Sequence, residues 1–460
     1  MSIRLLLLSA IIIGLALYAW RDWFKSLCGL ILLTTILEHP EMPKHIMGIQ
    51  GLNPWNTLLA VVVVAWLCAR RREGLRWDLP GYAGWIFLGY VGCTFVAYVR
   101  GAFDLSSFPS EQRESFLGFT TDEIINPIKL MVPGLMLYDG ARSRKRIVLA
   151  LTCVLLLGVG FALQIIKYVP LGVLVDPSDF MKYRYRINRD TGMDPNDIAM
   201  ILVGAFWSMM ATLAIWKRRG GRVLVAGAAA VLLVGIGLCQ SRAGYVSFVG
   251  VGLLFGIFVW RPLLGILPMM GIVVFLAVPS IPARLGMGFA VGNASSQTAN
   301  DLDEITAGRL TKIWPPVFEQ ISASPLIGEG RRAILRTPVH GALAKRGIAP
   351  GHPHNAYLEV LLDAGVAGLF VILTLYGLLV GIAIRLCRHP TDALVRAIGG
   401  AALAMISALL ITGLSSQSLF PTVSLFGMWC VIGLMLRAFV LTRSNATADA
   451  RPLRRRQYHR

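Results

Sequence analysis

Two histidines and an asparagine, His352, His354 and Asn355, lie at the start of a long apolar stretch in the sequence GHPHNAYLEV. An imidazole titrates near neutral pH and can take a proton from a hydroxyl, which is the task of a general base. An asparagine before a helix can also accept hydrogen bonds from the amides of the first turn. The motif therefore predicts either a catalytic base or a capped helix start.

Cationic side chains beside apolar runs form a second set of candidates. Arg242 lies in SRAG, Arg309 in AGRLTKIW, and Lys129 in NPIKLMVPG between two helix-breaking prolines. A guanidinium binds phosphate oxygens through two parallel hydrogen bonds and stays charged at any working pH. Charges next to lipid are commonly functional, although long basic side chains also extend to the interface or form internal ion pairs. These residues predict a phosphate site or a set of interfacial cations.

A third group of basic residues, Arg184, Arg186 and Arg189, lies in KYRYRINRDTGMDPNDIAM. The Asx–Pro–Asn sequence from Asp194 to Asn196 is typical of a helix start, with the Asx residue as cap and proline in the first turn. The amides and dipole of a helix N-terminus favour anions. The segment predicts a site for an anionic headgroup, and a solvated basic loop is the alternative.

Arginines that hold a phosphate and an imidazole that removes a proton describe group transfer from a lipid diphosphate to an alcohol. The diphosphate carries the driving force, so no ATP is required. The connector from residue 280 to residue 353 adds further basic residues, namely Arg331, Arg332, Arg336, Lys345 and Arg346. We expect these residues to extend the site into a cationic bowl.

Metal-dependent transfer is a weaker alternative. Asp301, Asp303 and Glu304 contain a DxD pattern, and hard carboxylates can hold a divalent ion, but three residues in this position also fit a helix cap. His340 with the two histidines of HPHN could hold zinc, yet HxH lacks a carboxylate or cysteine partner. The seven cysteines lie in or at the ends of apolar segments without a CxxC pair. We therefore expect no metal, no cofactor and no disulfide framework.

The composition indicates the setting in which these residues act. The chain has 460 residues, of which 55% are hydrophobic and 15% charged, with a mean hydropathy of +0.64. Several runs approach the roughly 20 apolar residues that cross a bilayer. The net charge of +19 is spread over short connectors and the C-terminus, which argues against a nucleic-acid partner. The sequence predicts a multi-pass membrane protein.

The predicted spans follow the apolar runs. They are residues 3–20, 24–38, 56–69, 80–99, 124–139, 147–169, 195–216, 223–240, 243–260, 263–279, 365–387, 394–414 and 419–441. We favour about 12 crossings, with the first two short runs forming one crossing between them or one of them being re-entrant. The first run lacks a cleavage pattern and is interpreted as a retained membrane segment.

The basic connectors predict how the chain is oriented in the membrane. Clusters at 70–76, 142–146, 217–222 and 385–388, together with the tail, would face the cytoplasm. The resulting domains are N-terminal membrane helices over 1–279 with a short periplasmic loop near 170–194, a large periplasmic loop with helices over 280–364, C-terminal membrane helices over 365–442 and a basic cytoplasmic tail over 443–460. A helix is expected over 305–321, restarting at Pro315 and Pro316.

The motifs, in their order along the chain, resemble the O-antigen ligase and polymerase superfamily. The matching segments are GIQGLNPWN, RDTGMDPNDIA, SRAG, AGRLTKIW with PLIGEG, and HPHNAYLEVLLDAGVAGL. The resemblance covers nearly the whole chain and implies an all-α membrane protein similar to the GT-C glycosyltransferases, in the bacterial inner membrane with a periplasmic active site.

The resemblance also implies residue roles. His354, Arg309 and Arg242 match the residues that the family regards as essential, and the family is considered metal-independent. Arg189 is the best match to a recurring arginine before the PN helix, with Arg184 and Arg186 close enough to compete. The predicted substrate-binding residues are thus Arg184, Arg186, Arg189, Asn196, Lys129, His352 and Asn355.

By this resemblance, the substrates would be an O-antigen on undecaprenyl diphosphate and a sugar hydroxyl of lipid A-core, with membrane lipids as further partners. An O-antigen polymerase, whose acceptor is another lipid-linked repeat unit, and a protein O-oligosaccharyltransferase are alternatives from the same superfamily. A transporter of lipid-linked sugars is a further alternative, but it would require polar residues along the middle of the bundle. Apart from Lys129, the sequence offers little of that kind.

Overall fold

The computed structural model describes residues 3–37, 42, 45–46, 49–75, 77–176, 178–286, 308–348, 350–415 and 418–456. In the N-terminal part the helices are α1 (Ile3–Leu37), α2 (Pro54–Arg72), α3 (Gly81–Ala102), α4 (Phe116–Thr120), α5 (Asn126–Gly140), α6 (Arg144–Tyr168), α7 (Phe180–Thr191), α8 (Pro195–Thr212), α9 (Arg219–Leu238), α10 (Arg242–Phe258), α11 (Leu263–Ala277) and α12 (Ser280–Gly286). A π-helical turn, Thr121–Ile125, joins α4 to α5. The strand pairing in the described part is His45–Ile46 with Ile49–Gln50.

The C-terminal part begins with a π-helical turn, Arg309–Ile313. It continues with α13 (Trp314–Ala323), α14 (Ala333–Arg336), α15 (Pro338–Ala344), α16 (Ala356–Cys387), α17 (Ala393–Thr412) and α18 (Phe426–Arg456). Prolines occupy the first turn of α13, where their missing amide hydrogens have no helical acceptor to lose, so the predicted restart at Pro315 and Pro316 is confirmed.

The chain is an all-α polytopic membrane protein. Eight helices of the described residues are long and apolar enough to cross a membrane, and α10 and α11 are shorter apolar helices. Buried residues from α1, α6, α8, α16, α17 and α18 meet in one large apolar core. Most of the predicted spans fall within these helices, because a run of apolar residues must satisfy its backbone polar groups internally in lipid. The first two runs both lie in α1, and the predicted spans 56–69 and 124–139 correspond to α2 and α5, which are not among these helices.

The first two apolar runs do not form one straight crossing. Asp22 has φ −149° and ψ 84°, outside the helical region, and the hydroxyl of Ser26 donates to the carbonyl of Leu15 at 2.9 Å. In a straight helix, eleven residues would separate those groups by about 16 Å. The chain therefore reverses at Asp22, and the two halves of α1 pack antiparallel. The two runs therefore do not form one straight helix, and the number of times that they cross the membrane stays a prediction.

The basic clusters at 70–76 and 142–146 lie at one end of the bundle, together with the connector that follows the cluster at 385–388. Asp139, at the end of α5, accepts hydrogen bonds from Arg70 at 2.9 Å and from Arg142 at 3.0 Å. Arg144, at the start of α6, pairs with Asp392 before α17 at 2.9 Å. Since α16 begins at Ala356, directly after HPHN, and ends at Cys387 near Asp392, the HPHN motif lies at the opposite end of the bundle. This arrangement agrees with the charge pattern used to orient the sequence.

α16 is broken at Gly365, where the predicted membrane span begins. Gly365 has φ 67° and ψ −170°, so the helical hydrogen-bond ladder is interrupted there. The freed carbonyls of Leu362 and Asp363 accept hydrogen bonds from the amides of Glu329 and Gly330, each at 2.8 Å. The backbone groups that the break exposes are therefore satisfied by another segment, as burial requires.

That segment, residues 325–330, also completes the other side of the break, and we call it the clasp. The amides of Val366 and Ala367 donate to the carbonyls of Pro325 and Leu326 at 2.8 and 3.1 Å. The backbones approach so closely that a Cβ atom on Gly328 would lie 2.6 Å from backbone atoms of residues 363–365. The clasp thus fixes the segment after α13 to the helix that carries HPHN.

A Gly328→Ala substitution is expected to destabilise the protein by about 2–5 kcal/mol, combining the clash with the left-handed backbone at φ 63°. Gly347→Ala is the matched control, because Gly347 has φ 72° but open space around its Cβ position. It should cost only the roughly 1–2 kcal/mol of the left-handed conformation. Unfolding in detergent, followed by intrinsic fluorescence, measures both. Equal destabilisation would contradict the close backbone contact.

Candidate active site

The corner between α9 and α10 gathers arginines from three elements. Arg184 of α7 donates to the carbonyls of Cys239 and Gln240 at 3.1 and 3.2 Å. Arg284 of α12 donates to the same Gln240 carbonyl at 3.2 Å, and Arg242 donates to the carbonyl of Arg284 at 2.9 Å. Three guanidinium groups therefore surround one tight turn, in which Gln240 itself has φ 49°.

Asn196 connects this corner to the start of α8. Its side-chain oxygen accepts hydrogen bonds from the Ser241 hydroxyl at 2.7 Å and from Arg184 at 3.3 Å. Asp194 caps the helix by accepting from the Asn196 amide at 2.7 Å, so the predicted DPN helix start is confirmed. The capped N-terminus of α8 thus lies beside the arginines, where its dipole adds to their attraction for anions.

The three arginines of α7 separate onto different faces. Arg186 and Arg189 pair with Asp190 at 3.4 and 2.6 Å, and their side chains are 47% and 62% exposed. Arg184 is half-buried against the corner. The sequence preference for Arg189 does not fit this geometry. Ile187 is buried on α7 and lies three residues after Arg184, so this buried apolar residue marks the inward face of the helix.

Arg284 is a site residue that the sequence analysis missed. It lies in α12, directly after the apolar helix α11, and its guanidinium lies 4.2 Å from the centre of the Phe180 ring. Burial, followed by the charges of Arg184 and Arg242, lowers the pKa of Arg284 to about 10. The available signal was a single arginine at the end of an apolar run, which resembles an ordinary interfacial cation.

Arg309 joins the cluster from the other side. Gly308 adopts φ 70° and begins the π-helical turn that carries Arg309. Burial, then the charges of Arg184 and Arg242, lowers the pKa of Arg309, while Asp194 opposes that shift. The four guanidinium groups thus lie close enough to repel one another. A concentration of positive charge of this kind favours binding of a multiply charged anion.

A hydrogen bond attaches HPHN to the segment that follows Arg309. The indole nitrogen of Trp314 donates to the carbonyl of Pro353 at 3.0 Å. On the other side, the amide of Ala356 donates to the Gly413 carbonyl at 2.8 Å, and the Asn355 side chain donates to the Leu414 carbonyl at 3.2 Å. The motif is therefore held between the connector and the end of α17.

Asn355 caps α16, as the alternative interpretation of the motif predicted. Its side-chain oxygen accepts from the amides of Tyr357 and Leu358 at 3.0 and 3.1 Å. The cap leaves His354 outside the helix with φ 54°, a conformation that a histidine rarely adopts. Capping and catalysis are compatible here, because they belong to neighbouring residues.

The electrostatic surroundings of His354 keep its ring neutral. Burial, then the neighbouring His352 and the charge of Arg309, lowers the pKa of His354 to about 3. The charge of Arg309 is therefore near enough to this ring to disfavour its protonation. An uncharged imidazole can accept a proton, which a histidinium cannot.

Lys129 lies in α5 and contacts residues of α2. Its amine donates to the side-chain oxygen of Asn56 at 3.0 Å and lies 5.3 Å from the centre of the Trp55 ring. Asn56 belongs to the GIQGLNPWN segment, so two of the quoted motif regions meet here. These contacts match an internal polar niche between α2 and α5.

The predicted cationic bowl is wrong for three of its members. Arg331 bonds Glu123 at 2.6 Å and Asp363 at 2.8 Å, and it is 11% exposed. Arg332 bonds the same Glu123 and Glu114, while Arg336 bonds Asp104. These arginines follow the clasp and connect it to the end of α3, to the residues on both sides of α4 and to α16. Their charge is neutralised by carboxylates, so they support the fold instead of the anion site.

The remaining members of the bowl lie outside the cluster. Lys345 and Arg346 are exposed, and Arg346 donates to the carbonyl of Lys312 at 2.6 Å. The DxD residues Asp301, Asp303 and Glu304 lie outside the described residues. Within the part of the chain that the structure describes, no three His, Cys, Asp or Glu side chains are grouped to hold a metal ion. His340 therefore does not combine with HPHN into a zinc site there.

Comparison with protein families identifies the segment that carries most of this site. Residues 227–373 match the family model described as O-antigen ligase. This segment therefore resembles an O-antigen ligase domain. The resemblance inferred from the motifs is thereby confirmed for the superfamily. No curated protein matches the chain.

The segment that resembles this domain accounts for part of the cluster. It includes Arg242, Arg284, Arg309 and both histidines of HPHN, whereas Arg184 and Asn196 precede the matched residues. The arginine cluster is therefore assembled from the domain and from α7 and α8 before it. The match also covers the clasp, so the segment that fixes the HPHN helix belongs to the same domain.

Proposed function

We propose that this protein transfers an O-antigen polysaccharide from undecaprenyl diphosphate to a sugar hydroxyl of lipid A-core. The observation that carries the proposal is the convergence of four guanidinium groups and one neutral imidazole at one end of a membrane bundle. The similarity of residues 227–373 to the O-antigen ligase family supports a transferase of this superfamily in lipopolysaccharide biosynthesis. Its family description agrees with a lipid-linked polysaccharide and lipid A-core as substrates.

In this proposal the arginines hold the diphosphate. Arg184, Arg242, Arg284 and Arg309 present planar guanidinium forks, which suit phosphate oxygens better than a point charge does. The mutual repulsion of these groups is relieved when a diphosphate binds between them. During transfer, negative charge grows on the departing phosphate oxygen, so the same groups stabilise the transition state more than the ground state.

His354 acts as the general base. It takes the proton of the acceptor hydroxyl, whose oxygen forms a bond to the anomeric carbon as the bond from that carbon to the phosphate oxygen breaks. The electron pair of the broken bond leaves with the lipid diphosphate. Attack from the face opposite the leaving group inverts the anomeric configuration. The proton is released from His354 to solvent when the products depart.

The bound diphosphate is part of the activation of His354. An imidazole with a pKa of about 3 is a weak base. Negative charge beside Arg309 offsets one cause of that shift, so the pKa of His354 rises when the donor binds. The base is then stronger in the complex than in the free protein, which couples proton removal to the presence of the donor.

We propose that the reaction takes place on the periplasmic face of the inner membrane. The basic connectors at Arg70, Arg142 and Arg144 lie at the end of the bundle opposite HPHN. If these connectors face the cytoplasm, as their charge favours, the arginine cluster faces the periplasm.

The proposal is tested by adding purified protein to lipid-linked O-antigen and lipid A-core, with chelator and without added metal. Formation of full-length lipopolysaccharide supports the ligase. Longer polymer on the lipid donor would indicate a polymerase, and sugar on an added acceptor protein would indicate a protein O-oligosaccharyltransferase. A protein that binds both substrates and yields no product under any of these conditions would overturn the proposal.

The dependence of the reaction on pH follows from the pKa of His354. Because that pKa is lowered, the neutral ring persists as the pH falls, so kcat/KM for the donor should change less than about twofold between pH 8 and pH 5. A histidine with the ordinary pKa of about 6.5 would be only about 3% neutral at pH 5.

Initial rates at limiting donor, over the pH range in which the protein stays folded, measure this profile. The rate at saturating donor should decline at a higher pH than kcat/KM does, since bound diphosphate raises the pKa of His354. A tenfold fall in kcat/KM between pH 7 and pH 5 would contradict the neutral imidazole.

A further inference from the structure

The two histidines of HPHN are joined by a hydrogen bond. The backbone amide of His354 donates to Nδ1 of His352 at 3.2 Å, and the ring centres are 4.2 Å apart with a 61° angle between the rings. A side-chain acceptor at one residue and a backbone amide two residues later form the geometry of an Asx turn, here made by a histidine. Pro353 lies between them and has no amide hydrogen to compete.

This bond determines which nitrogen of His352 carries a proton. An Nδ1 that accepts an amide hydrogen has none of its own, so the neutral ring carries its proton on Nε2. The accepting nitrogen is directed at the protein backbone and is not available to a phosphate. The part of His352 that the structure engages therefore serves the adjacent residue.

The conformation of His354 is the reason such a bond is needed. A non-glycine residue at φ 54° stores about 1–3 kcal/mol of strain and persists only when its surroundings hold it. Trp314 holds the carbonyl of Pro353, and Asn355 begins the helix that follows. The bond from His352 holds the amide of His354 itself, between those two anchors.

We propose that His352 is a positioning residue that fixes the backbone of His354 and so aims its imidazole at the acceptor hydroxyl. The inference deepens the proposed function and rests on it for its kinetic consequences. It differs from the expectation that His352 binds substrate directly. The two roles predict different results for substitutions that keep or remove the acceptor at the Nδ1 position.

Three variants separate these roles. The side-chain oxygen of His352→Asn lies where Nδ1 lies and can accept the amide of residue 354, whereas the longer His352→Gln places its oxygen elsewhere and His352→Ala has none. We expect kcat to fall about 10-fold to 100-fold in the alanine and glutamine variants, with KM for the donor changed less than twofold. The asparagine variant should retain kcat within about threefold of the unchanged protein.

Thermal unfolding and donor binding serve as controls for folding. The thermal midpoint and the affinity for the donor should be similar in all three variants. An equal loss in the asparagine and alanine variants, or a rise in KM with kcat unchanged, would show that His352 contacts substrate and would overturn the positioning role.

A second measurement does not depend on the reaction. The amide of His354, observed by NMR after selective ¹⁵N-histidine labelling, should shift upfield in His352→Ala and remain close to its original position in His352→Asn. An unchanged shift in the alanine variant would overturn the inference. If the protein lacks transferase activity but the amide shifts follow this pattern, the proposed function fails while the hydrogen bond between the histidines stands.

Discussion

Replacing His354 with alanine is expected to lower the rate of transfer by about 10²–10⁴-fold, the usual contribution of a general base. Donor binding should change little, because the guanidinium groups that hold the diphosphate remain in place. The loss should therefore appear in kcat and not in the dissociation constant of the donor. Single-turnover transfer and binding of a labelled lipid-linked sugar measure the two quantities separately.

His340→Ala is the matched control for this variant. His340 belongs to the same connector, in α15, and is half-buried without belonging to the arginine–histidine cluster. We expect it to retain activity close to that of the unchanged protein. Full activity in His354→Ala, with the protein folded and the donor bound, would refute the role of His354 as the base.

Arg184→Ala and Arg189→Ala form the second comparison, since the sequence favoured one residue and the geometry favours the other. Loss of the half-buried Arg184 removes a charged hydrogen-bonding group from the cluster and should lower kcat/KM by about 10-fold to 150-fold. Loss of Arg189, which is 62% exposed and paired with Asp190, should lower it less than about threefold. Initial rates at limiting donor measure both variants.

Arg184 also donates to the carbonyls at the end of α9, so its loss could act through folding. Arg184→Lys and a thermal unfolding measurement address this point. The lysine variant keeps the charge but loses the fork, so it should fold and remain impaired. A large loss in Arg189→Ala, with normal activity in Arg184→Ala, would reverse the assignment and move the diphosphate to the exposed face of α7.

Local sequence determined the helices and their caps. Whether a run is apolar enough to cross a bilayer, and whether Asp194 or Asn355 precedes a first turn, depends on residues adjacent in the chain. The same holds for the helix restart at Pro315 and Pro316. The motif order also identified the superfamily, and with it His354, Arg242 and Arg309 as candidates that the structure brings close together.

Only the tertiary structure decided which basic residues join the site. Arg184 and Arg189 are five residues apart, so on a helix they are rotated by about 140° from each other, and the packing of Ile187 selects between them. Arg284 joins the cluster because α12 folds back onto the α9–α10 corner, a contact between residues about 40 positions apart. No local pattern reports such a contact.

The same reason explains the arginines after the clasp. Arg331 and Arg332 resemble site residues in sequence, since each is a cation in a connector near an apolar run. Their partner Glu123 lies about 200 residues earlier in the chain. Arg331 also bonds Asp363, which lies two residues before the break at Gly365. Sequence determined where the charges are, whereas folding decided which charges are neutralised, because ion pairing depends on distance in space and not on distance along the chain.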